Sequence, residues 1–329
     1  MRACMWPLHR DNVTFPMVNF LNNQDDFGDG PARDYLGYGE NAPQFAWPGS
    51  AGVAINIVVN YEEGSEHSLP MGDGRNEMLA EIQYSLPGET RDLTVESIYE
   101  YGSRVGVWRL MRIFKEGGVA STFFAAAVAL EKNPEVARRL VEDGHEPCSH
   151  GYRWVEHFAM TREEERTSIQ RAIESFERTC GQRPVGWYCR YGPSVHTREL
   201  VVEEGGFEYD SDAYNDDLPY YVEVSGKQHL VIPYTLDLND VRFVMAQGYG
   251  SNIDFYDDAV ATFERLLQEA ETTGTSRMMS IGTHPRLFGR PARADALARF
   301  IEHVNQRGRG WFARRDEIAR FWREHFPAS

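Results

Sequence analysis

Short apolar runs alternate with amphipathic segments from residue 53 to the end of the chain. The first run, VAINIVVN, is followed abruptly by polar residues, as expected where a buried strand ends. Eight runs of this kind predict strands, at residues 53–60, 120–127, 145–150, 185–189, 207–211, 229–235, 277–283 and 310–314. Strands that alternate with helices in this way favour a parallel sheet built from βα units.

Four of the intervening segments carry helix signals. Asn133 and Pro134 begin one helix, which ends before Gly144, and Thr161 and Glu164 form a capping box for another that runs to about residue 180. Two further helices, one from Ser103 and one over residues 291–308, keep their apolar residues on one face. One run of about eight βα units predicts a barrel of the TIM type, incomplete or distorted, with an open doubly wound sheet as the alternative.

The first 50 residues differ from the rest of the chain. They are rich in Asn, Asp, Gly and Pro and show no sustained periodicity, which predicts an irregular N-terminal arm. Residues 51–329 are predicted to form a single barrel domain. We expect the arm to wrap around the barrel or to join subunits.

Composition excludes several classes of function. A net charge of −16 argues against a phosphate-binding surface for nucleic acid, and no apolar run approaches the roughly 18 residues that span a membrane. The start of the chain lacks the apolar stretch of a secretion signal, so we expect a cytoplasmic protein. Its four cysteines have no metal-like spacing and are expected to be reduced.

The polar residues just past the predicted strands indicate an active site, because barrel enzymes place their reactive groups at the C-terminal ends of the strands. Adjacent Glu62 and Glu63 follow the first strand, where mutual repulsion and desolvation raise carboxyl pKa values and cost stability. A base or a metal site would explain that cost. The other residues at these positions are His150, Arg190, Asp210, Asp212, Asp237, Asn239, Asp240 and His284.

Each of these residues also has a structural interpretation. Glu62 and Glu63 could be solvated carboxylates, and His150 could simply bond a backbone carbonyl. Arg190 has no acidic neighbour in sequence, so its partner must come from elsewhere in the fold or from a ligand. The segment LDLND, with Asp237, Asn239 and Asp240, could bind Ca²⁺, although it lacks the Gly turn and distal Glu of a calcium loop.

Three further residues are expected to be structural. His145 opens its strand and should lie at the opposite end of the barrel. His157 lies seven residues after His150, a spacing that fits no standard ligand pair, so we expect it at the surface. Cys189, beside Arg190, could be an activated nucleophile, but its place inside a strand favours packing.

The motifs NYEEG, SHGYRW, GWYCRYGPS, LDLND and SIGTHPRLFGRP, in this order, resemble the polysaccharide deacetylase (NodB-like) superfamily. The resemblance implies a distorted (β/α) barrel whose members hydrolyse amide bonds. Within the superfamily, segments such as ESIYEYGSRVGVWRL and EEGGFEYDSDAYNDDLPY are most similar to the metal-independent allantoinases, cytoplasmic enzymes of urate breakdown. The resemblance covers residues 32–326 and implies a small cyclic amide or ureide as substrate, with a homo-oligomer, dimer or tetramer, as the assembly.

The same resemblance bears on metal binding. Metal-dependent members of the superfamily have two aspartates in the first motif, which correspond to Glu62 and Glu63, and two histidines in the second. His150 stands at the first histidine position, and Trp154 stands at the second, four residues later. Indole does not bind zinc, and the remaining Glu63 and His150 fall short of the three protein ligands of a catalytic zinc site. We therefore expect no metal cofactor.

Ring opening of a cyclic amide needs an activated water, a stabilised oxyanion and a proton for the leaving nitrogen. We expect Glu62 or Glu63, with a pKa raised by its neighbour, to be the general base. His284 is expected to donate the proton, with His150 as the second candidate. The predicted substrate-binding residues are Arg190, which would orient carbonyls or the oxyanion, and Trp154, Asp237, Asn239 and Asp240.

Two departures from the allantoinase pattern leave the substrate open. The chain has WYCRYGPS where those allantoinases have approximately Tyr-Thr-Gly-Arg, and Pro285 where they have a cysteine. Another cyclic ureide, hydantoin or imide is therefore an alternative substrate. A metal-dependent deacetylase of acetylated sugars and a non-catalytic ureide-binding protein are the alternative functions.

Overall fold

The computed structural model describes residues 30–328, apart from residues 79–81, 83–85 and 88. Within these residues nine strands form one sheet: β1 (Val53–Tyr61), β2 (Thr122–Ala125), β3 (Glu146–Ser149), β4 (Gly186–Trp187), β5 (Tyr209–Asp210), β6 (Tyr220–Val224), β7 (Lys227–Val231), β8 (Arg277–Thr283) and β9 (Gly310–Phe312). The helices of the same residues are α1 (Leu93–Tyr101), α2 (Val107–Gly117), α3 (Ala127–Lys132), α4 (Pro134–Glu142), α5 (Arg162–Cys180), α6 (Thr197–Glu204), α7 (Asn252–Thr273), α8 (Pro285–Phe288), α9 (Pro291–Arg307) and α10 (Arg315–His325).

The sheet is a curled, incompletely closed barrel. Its strands follow the order β6-β7-β5-β4-β3-β2-β1-β8, with β9 also paired to β1, and all neighbours are parallel except the β6–β7 hairpin. Between the two ends of this order, the described residues show an isolated parallel bridge that joins Asn239 to Gly282. The predicted α/β fold with a distorted (β/α) barrel is confirmed.

Each predicted strand overlaps an observed one, and the four predicted helices are present. The predicted strand over residues 120–127 is too long, because α3 begins at Ala127. β6 was not predicted, since this edge strand is partly exposed along its length and has no continuous apolar run. Residues 1–29 of the predicted arm lie outside the described residues, so the division at residue 50 stays a prediction.

β1 pairs with three other strands, and all nine of its residues are buried. It pairs with β8 along one edge and, on the other edge, with β9 near its start and β2 near its end, so both of its edges are covered. A strand in this position reads as a continuous apolar run, as VAINIVVN does. The next residues, Glu62 and Glu63, are therefore buried at the C-terminal end of the barrel.

α1 and α2 are joined by a π-helical turn at Gly102–Gly106, a feature that often marks functional sites. A Cβ atom at Gly102 would lie 2.1 Å from the Glu63 carboxylate, and one at Gly106 would lie 2.1 Å from the Pro285 carbonyl. These two glycines let the helix backbone approach the ends of β1 and β8, where larger residues would collide.

Two other observations concern the described part of the chain. None of its helices combines the length and the apolar character needed to cross a membrane. Its three cysteines, Cys148, Cys180 and Cys189, are free thiols.

Candidate active site

Glu62 lies at the centre of a buried cluster at the C-terminal end of the barrel, with 1% of its surface exposed. Its Oε1 atom lies 3.3 Å from Nε2 of His150 and 3.5 Å from Nε2 of His284. Its Oε2 atom accepts a 2.7 Å hydrogen bond from Nη1 of Arg286. The structure thus brings together three of the predicted residues from the ends of β1, β3 and β8, and adds Arg286, which was not predicted.

The environment of Glu62 favours its charged form. Burial would raise the pKa of Glu62, but the Arg286 guanidinium and the His284 imidazolium hold it well below its usual value. The raised pKa that the sequence predicted for this residue is therefore wrong. The reason is that the positive charges of Arg286 and His284 and the hydrogen bond with His150 lower the pKa of Glu62 by more than burial raises it.

His284 directly follows β8 and is held by Asp240. Its Nδ1 atom donates a 2.5 Å hydrogen bond to Oδ1 of Asp240, and its backbone N–H donates to Oδ2 at 2.6 Å. Burial disfavours the charged imidazole, but the Asp240 and Glu62 carboxylates outweigh it and raise the pKa of His284 to about 9. The ring is thus protonated at neutral pH, with Nε2 directed toward Glu62.

His150 follows β3 and is fixed by one hydrogen bond and one stacking contact. Its Nδ1 atom donates to the Tyr188 carbonyl at 2.8 Å, and its ring stacks on the Tyr188 ring with centroids 5.0 Å apart. Because a carbonyl only accepts, Nδ1 carries a hydrogen and Nε2 is left to face Glu62. The hydrogen bond to a backbone carbonyl, which the structural interpretation of His150 required, is thus present. The contact with Glu62 is present as well.

Glu63 points away from the two histidines. Its Oε2 atom accepts from the backbone N–H of Glu62 at 3.0 Å, and its Oε1 atom accepts from the backbone N–H of Arg286 at 3.2 Å. Burial raises the pKa of Glu63 to about 7; the nearby Arg286 lowers it and the charge of Glu62 raises it further. For Glu63 the direction of the predicted shift is confirmed, and burial is its main cause.

Trp154 and Arg190 lie beside this cluster. Arg190 is bound through both terminal nitrogens to the Glu77 carboxylate, at 2.6 and 3.0 Å, and its guanidinium carbon lies 3.9 Å from the centre of the Trp154 ring. The guanidinium carbon of Arg286 is 5.3 Å from the same ring. The partner that the sequence required for Arg190 is therefore Glu77, from the segment after β1, and both arginines border the indole.

The segment LDLND does not present its three polar side chains together. Asp237 is exposed and lines a cavity of about 720 Å³ with Tyr214 and Tyr234 on the open side of the barrel. Asn239 accepts from the Val241 N–H and donates to the Tyr234 hydroxyl, while Asp240 binds His284. Internal contacts thus hold Asn239 and Asp240, whereas Asp237 is exposed and does not belong to the buried cluster. The predicted contacts of these three residues with a substrate stay predictions.

The two aspartates of the fifth strand are also held within the protein. Asp210 binds Arg198, and its carboxylate lies 3.2 Å from His229. Asp212 accepts from the indole of Trp187 and from the backbone N–H of Cys189. These contacts give both carboxylates structural roles.

The expectation for His157 is wrong. His157 is fully buried, and its Nδ1 atom lies 2.9 Å from the Glu165 carboxylate on α5. His145 is buried against Ser121 at the start of β3, in the structural role that was expected. Cys189 is buried, and burial raises the pKa of its thiol well above the usual value, which favours packing over nucleophilic chemistry.

The residues present do not fit the ligand set of a metal-dependent deacetylase. Trp154 stands where a second histidine would bind, and both oxygens of Glu63 are occupied by backbone N–H groups. Arg286 already neutralises Glu62. Over the described part of the chain, no group of three or more His, Cys, Asp or Glu side chains is arranged to hold a metal ion.

Several known proteins are similar to this chain. Residues 88–209 match the family model described as polysaccharide deacetylase. A Schizosaccharomyces pombe protein with a provisional polysaccharide deacetylase name is 35% identical over 300 residues, which are 85% of this chain and 93% of that protein.

Two solved structures share the fold over most of their length. The crystal structure of PuuE allantoinase is 46% identical, with a TM-score of 0.87, and the match covers 91% of this chain and 99% of that one. The crystal structure of a probable polysaccharide deacetylase from Pseudomonas aeruginosa PAO1 is also 46% identical, with a TM-score of 0.86 and coverage of 91% and 100%.

Proposed function

The chain belongs to the polysaccharide deacetylase family, and we propose that this hydrolase opens the ring of a small cyclic amide or ureide, as in the conversion of allantoin to allantoate. The observation that carries the proposal is the placement of Glu62 between two histidines and an arginine. This arrangement supplies a charged base and a protonated acid on neighbouring groups. The identity of 46% to PuuE allantoinase, over nearly its whole length, supports the cyclic ureide as the substrate class.

Glu62 acts as the general base in this proposal. Its carboxylate is ionised, and Oε1, which lies beside both histidines, takes a proton from water as the water oxygen bonds to the ring carbonyl carbon. Glu63 has both oxygens bound to backbone N–H groups and is therefore assigned to positioning. Because Glu62 and His150 are almost fully buried, a substrate reaches Oε1 only when the surrounding side chains move apart.

His284 completes the reaction. The carbon–nitrogen bond of the tetrahedral intermediate breaks, and Nε2 of the protonated His284 gives its hydrogen to the leaving nitrogen. The product is a ring-opened carboxylic acid with a free amide or urea nitrogen, and the acid ionises to the carboxylate. The proton on Glu62 then passes to Nε2 of His284, which lies 3.5 Å from Oε1, and both groups return to their starting state. His150, whose Nε2 atom also faces Glu62, is placed to donate to the developing oxyanion when it is protonated.

We propose that this reaction proceeds without a metal ion, because Arg286 already supplies positive charge to the base. The predicted contact of Arg190 with substrate carbonyls requires Glu77 to release at least one of its nitrogens, so that role stays a prediction. Trp154 also stays a predicted contact for the substrate ring. Cytoplasmic location and a homo-oligomeric assembly are likewise part of the proposal.

The proposal is tested by incubating purified protein with allantoin, hydantoin, dihydrouracil and succinimide, and by following the products by NMR. A separate incubation uses N-acetylglucosamine oligomers. We expect a ring-opened carboxylate from at least one cyclic amide, no acetate from the sugars, and neither product from Glu62→Gln. Release of acetate with every ring intact would contradict the proposal and would favour an N-deacetylase.

A further inference from the structure

We propose that Arg286 is the positioning residue that keeps Glu62 charged and correctly oriented as the base, and that Glu63 holds Arg286 in place for this purpose. The inference deepens the proposed function and rests on it in one respect, the assignment of Glu62 as the base. It concerns a side chain that strand-end reasoning did not identify.

The contact between Arg286 and Glu62 sets the direction of the carboxylate. Nη1 of Arg286 binds Oε2 of Glu62 at 2.7 Å, and Oε1 is the atom that lies near both histidines. One oxygen is thus held by the guanidinium while the other faces the groups that would handle water and the leaving nitrogen. A charged hydrogen bond of this length restricts rotation of the carboxylate as well as favouring its ionisation.

The guanidinium of Arg286 is enclosed by aromatic rings. Its central carbon lies 4.4 Å from the centre of the Tyr99 ring and 5.3 Å from that of Trp154, and the residue is 2% exposed. Aromatic faces attract a cation and offset part of the cost of removing it from water. Trp154, at the position where the superfamily resemblance placed a second histidine, therefore forms part of the enclosure for a fixed positive charge.

Glu63 connects the backbones of the two interacting residues. Its carboxylate accepts from the N–H of Glu62 with one oxygen and from the N–H of Arg286 with the other. This bridge fixes the end of β1 relative to the start of α8, which sets the distance between the two side chains. Gly102 leaves the space that the Glu63 carboxylate occupies.

The charges that face Glu62 show why a permanent cation is needed. The buried cluster contains three carboxylates, Glu62, Glu63 and Asp240, together with His150 and His284, whose charges vary with pH. Of the described side chains that contact Glu62, Arg286 is the one whose charge stays constant at every physiological pH. Without Arg286, the two histidines alone would have to balance the negative charge of these carboxylates.

A direct titration of Glu62 tests the inference without reference to any substrate. The protein is labelled with ¹³C at the glutamate side-chain carboxyl carbon, and the Glu62 signal is assigned by its absence from Glu62→Gln. Arg286→Gln removes the charge but keeps a hydrogen-bond donor, and Arg286→Lys keeps the charge. Arg299→Met is the matched control, because the guanidinium of Arg299 lies 4.3 Å from the Tyr256 ring on the exterior of the barrel.

We expect the Glu62 signal of the wild type, Arg286→Lys and Arg299→Met to remain that of a carboxylate down to the ordinary pKa of 4.5. In Arg286→Gln the titration should move upward by at least about one pH unit. Should Arg286→Gln fail to fold by circular dichroism, Arg286→Met takes its place as the neutral variant. An unchanged Glu62 titration in the neutral variant would overturn the inference.

The pH profile of kcat/KM supplies a second readout on any ring that the wild type opens. Loss of the positive charge raises the pKa of the base, so the acid limb of the profile should move to higher pH in Arg286→Gln and stay in place in Arg286→Lys. If no ring is opened while the titration moves, the proposed function fails together with the role of Glu62 as its base, and the control of the Glu62 charge by Arg286 stands. If rings are opened and the titration does not move, this inference fails alone.

Discussion

Asp240→Asn tests whether the protonated His284 is the acid of the reaction. Asp240 accepts from the imidazole Nδ1 of His284 and from the backbone N–H of the same residue. Its charge is the largest of the influences that raise the pKa of His284 to about 9 against the effect of burial. The asparagine has nearly the same shape but no charge. Its single amide oxygen can replace only one of the two carboxylate oxygens that accept hydrogen bonds from His284.

The size of the effect depends on pH. With a pKa of about 9, His284 is roughly 90% protonated at pH 8, whereas a histidine with the ordinary value of 6.5 is about 3% protonated there. If the protonated form is the acid, Asp240→Asn should lose about 30-fold in rate at pH 8 from this cause, and less than 2-fold at pH 6. The raised pKa keeps His284 protonated up to a pH of about 9. When Asp240→Asn lowers this pKa, the alkaline limb of the pH profile should move to lower pH.

The assay is the pH dependence of kcat/KM between pH 5 and about 10 for the wild type and Asp240→Asn, with thermal unfolding to show that both are folded. Asp258→Asn, an exposed carboxylate that pairs with Arg242, is the matched control and should leave the profile unchanged. A uniform loss at all pH values, with the alkaline limb in its original place, would show that Asp240 only orients His284. An unaltered rate and profile would refute the assignment of His284 as the acid.

Three further results are expected. Glu62→Gln should lower kcat by about 10²- to 10⁴-fold with a circular dichroism spectrum like that of the wild type, and a smaller loss would remove Glu62 as the base. Gly102→Ala should lower both the rate and the Tm, because its Cβ would lie 2.1 Å from the Glu63 carboxylate; equal values for both proteins would show that this side chain can move without consequence. Cys189→Ala should keep the wild-type rate within about 2-fold, since burial keeps the thiol protonated, and abolished turnover would revive the nucleophile interpretation.

The part of the site that could be predicted follows from one rule about parallel strands. Glu62, His150 and His284 each come directly after a buried strand, so the barrel geometry alone predicts that they meet at one end. The residue after a strand is fixed in position because the strand itself is fixed. The same rule fails for Asp237, which lies six residues past the end of β7 in a loop whose course the strand does not determine.

Arg286, which was not predicted, and the contact of Asp240 with His284, a role the sequence did not predict for that residue, depend on contacts between distant segments. Arg286 comes two residues after His284, inside the first turn of α8. Contacts with Glu63, Tyr99 and Trp154, which are distant in sequence, hold it beside Glu62. Asp240 reaches His284 because the adjacent Asn239 pairs with Gly282 across the open side of the barrel. The glycines at 102 and 106 were the available sequence signal, since two glycines four residues apart on a helix indicate a close approach of another chain segment.

His157 and Arg190 show the limits of arguing from spacing. The seven-residue interval from His150 fits no standard ligand pair, but it carries no information about burial. His157 is buried because it packs against the equally buried Glu165 on α5. For Arg190 the requirement for a partner was sound, because a buried guanidinium without one is costly. The identity of that partner, Glu77, depends on how the segment after β1 folds back over β4.

We propose that Glu62, Arg286 and His284 take part in a ring hydrolysis that needs no metal ion. The measurement that tests it most directly is the rate of ring opening by protein freed of metal with a chelator, with zinc content determined by elemental analysis on the same sample. We predict the full rate at a zinc content far below one ion per chain, and no gain when zinc is added back. A rate that disappears with the metal and returns with stoichiometric zinc would contradict the account.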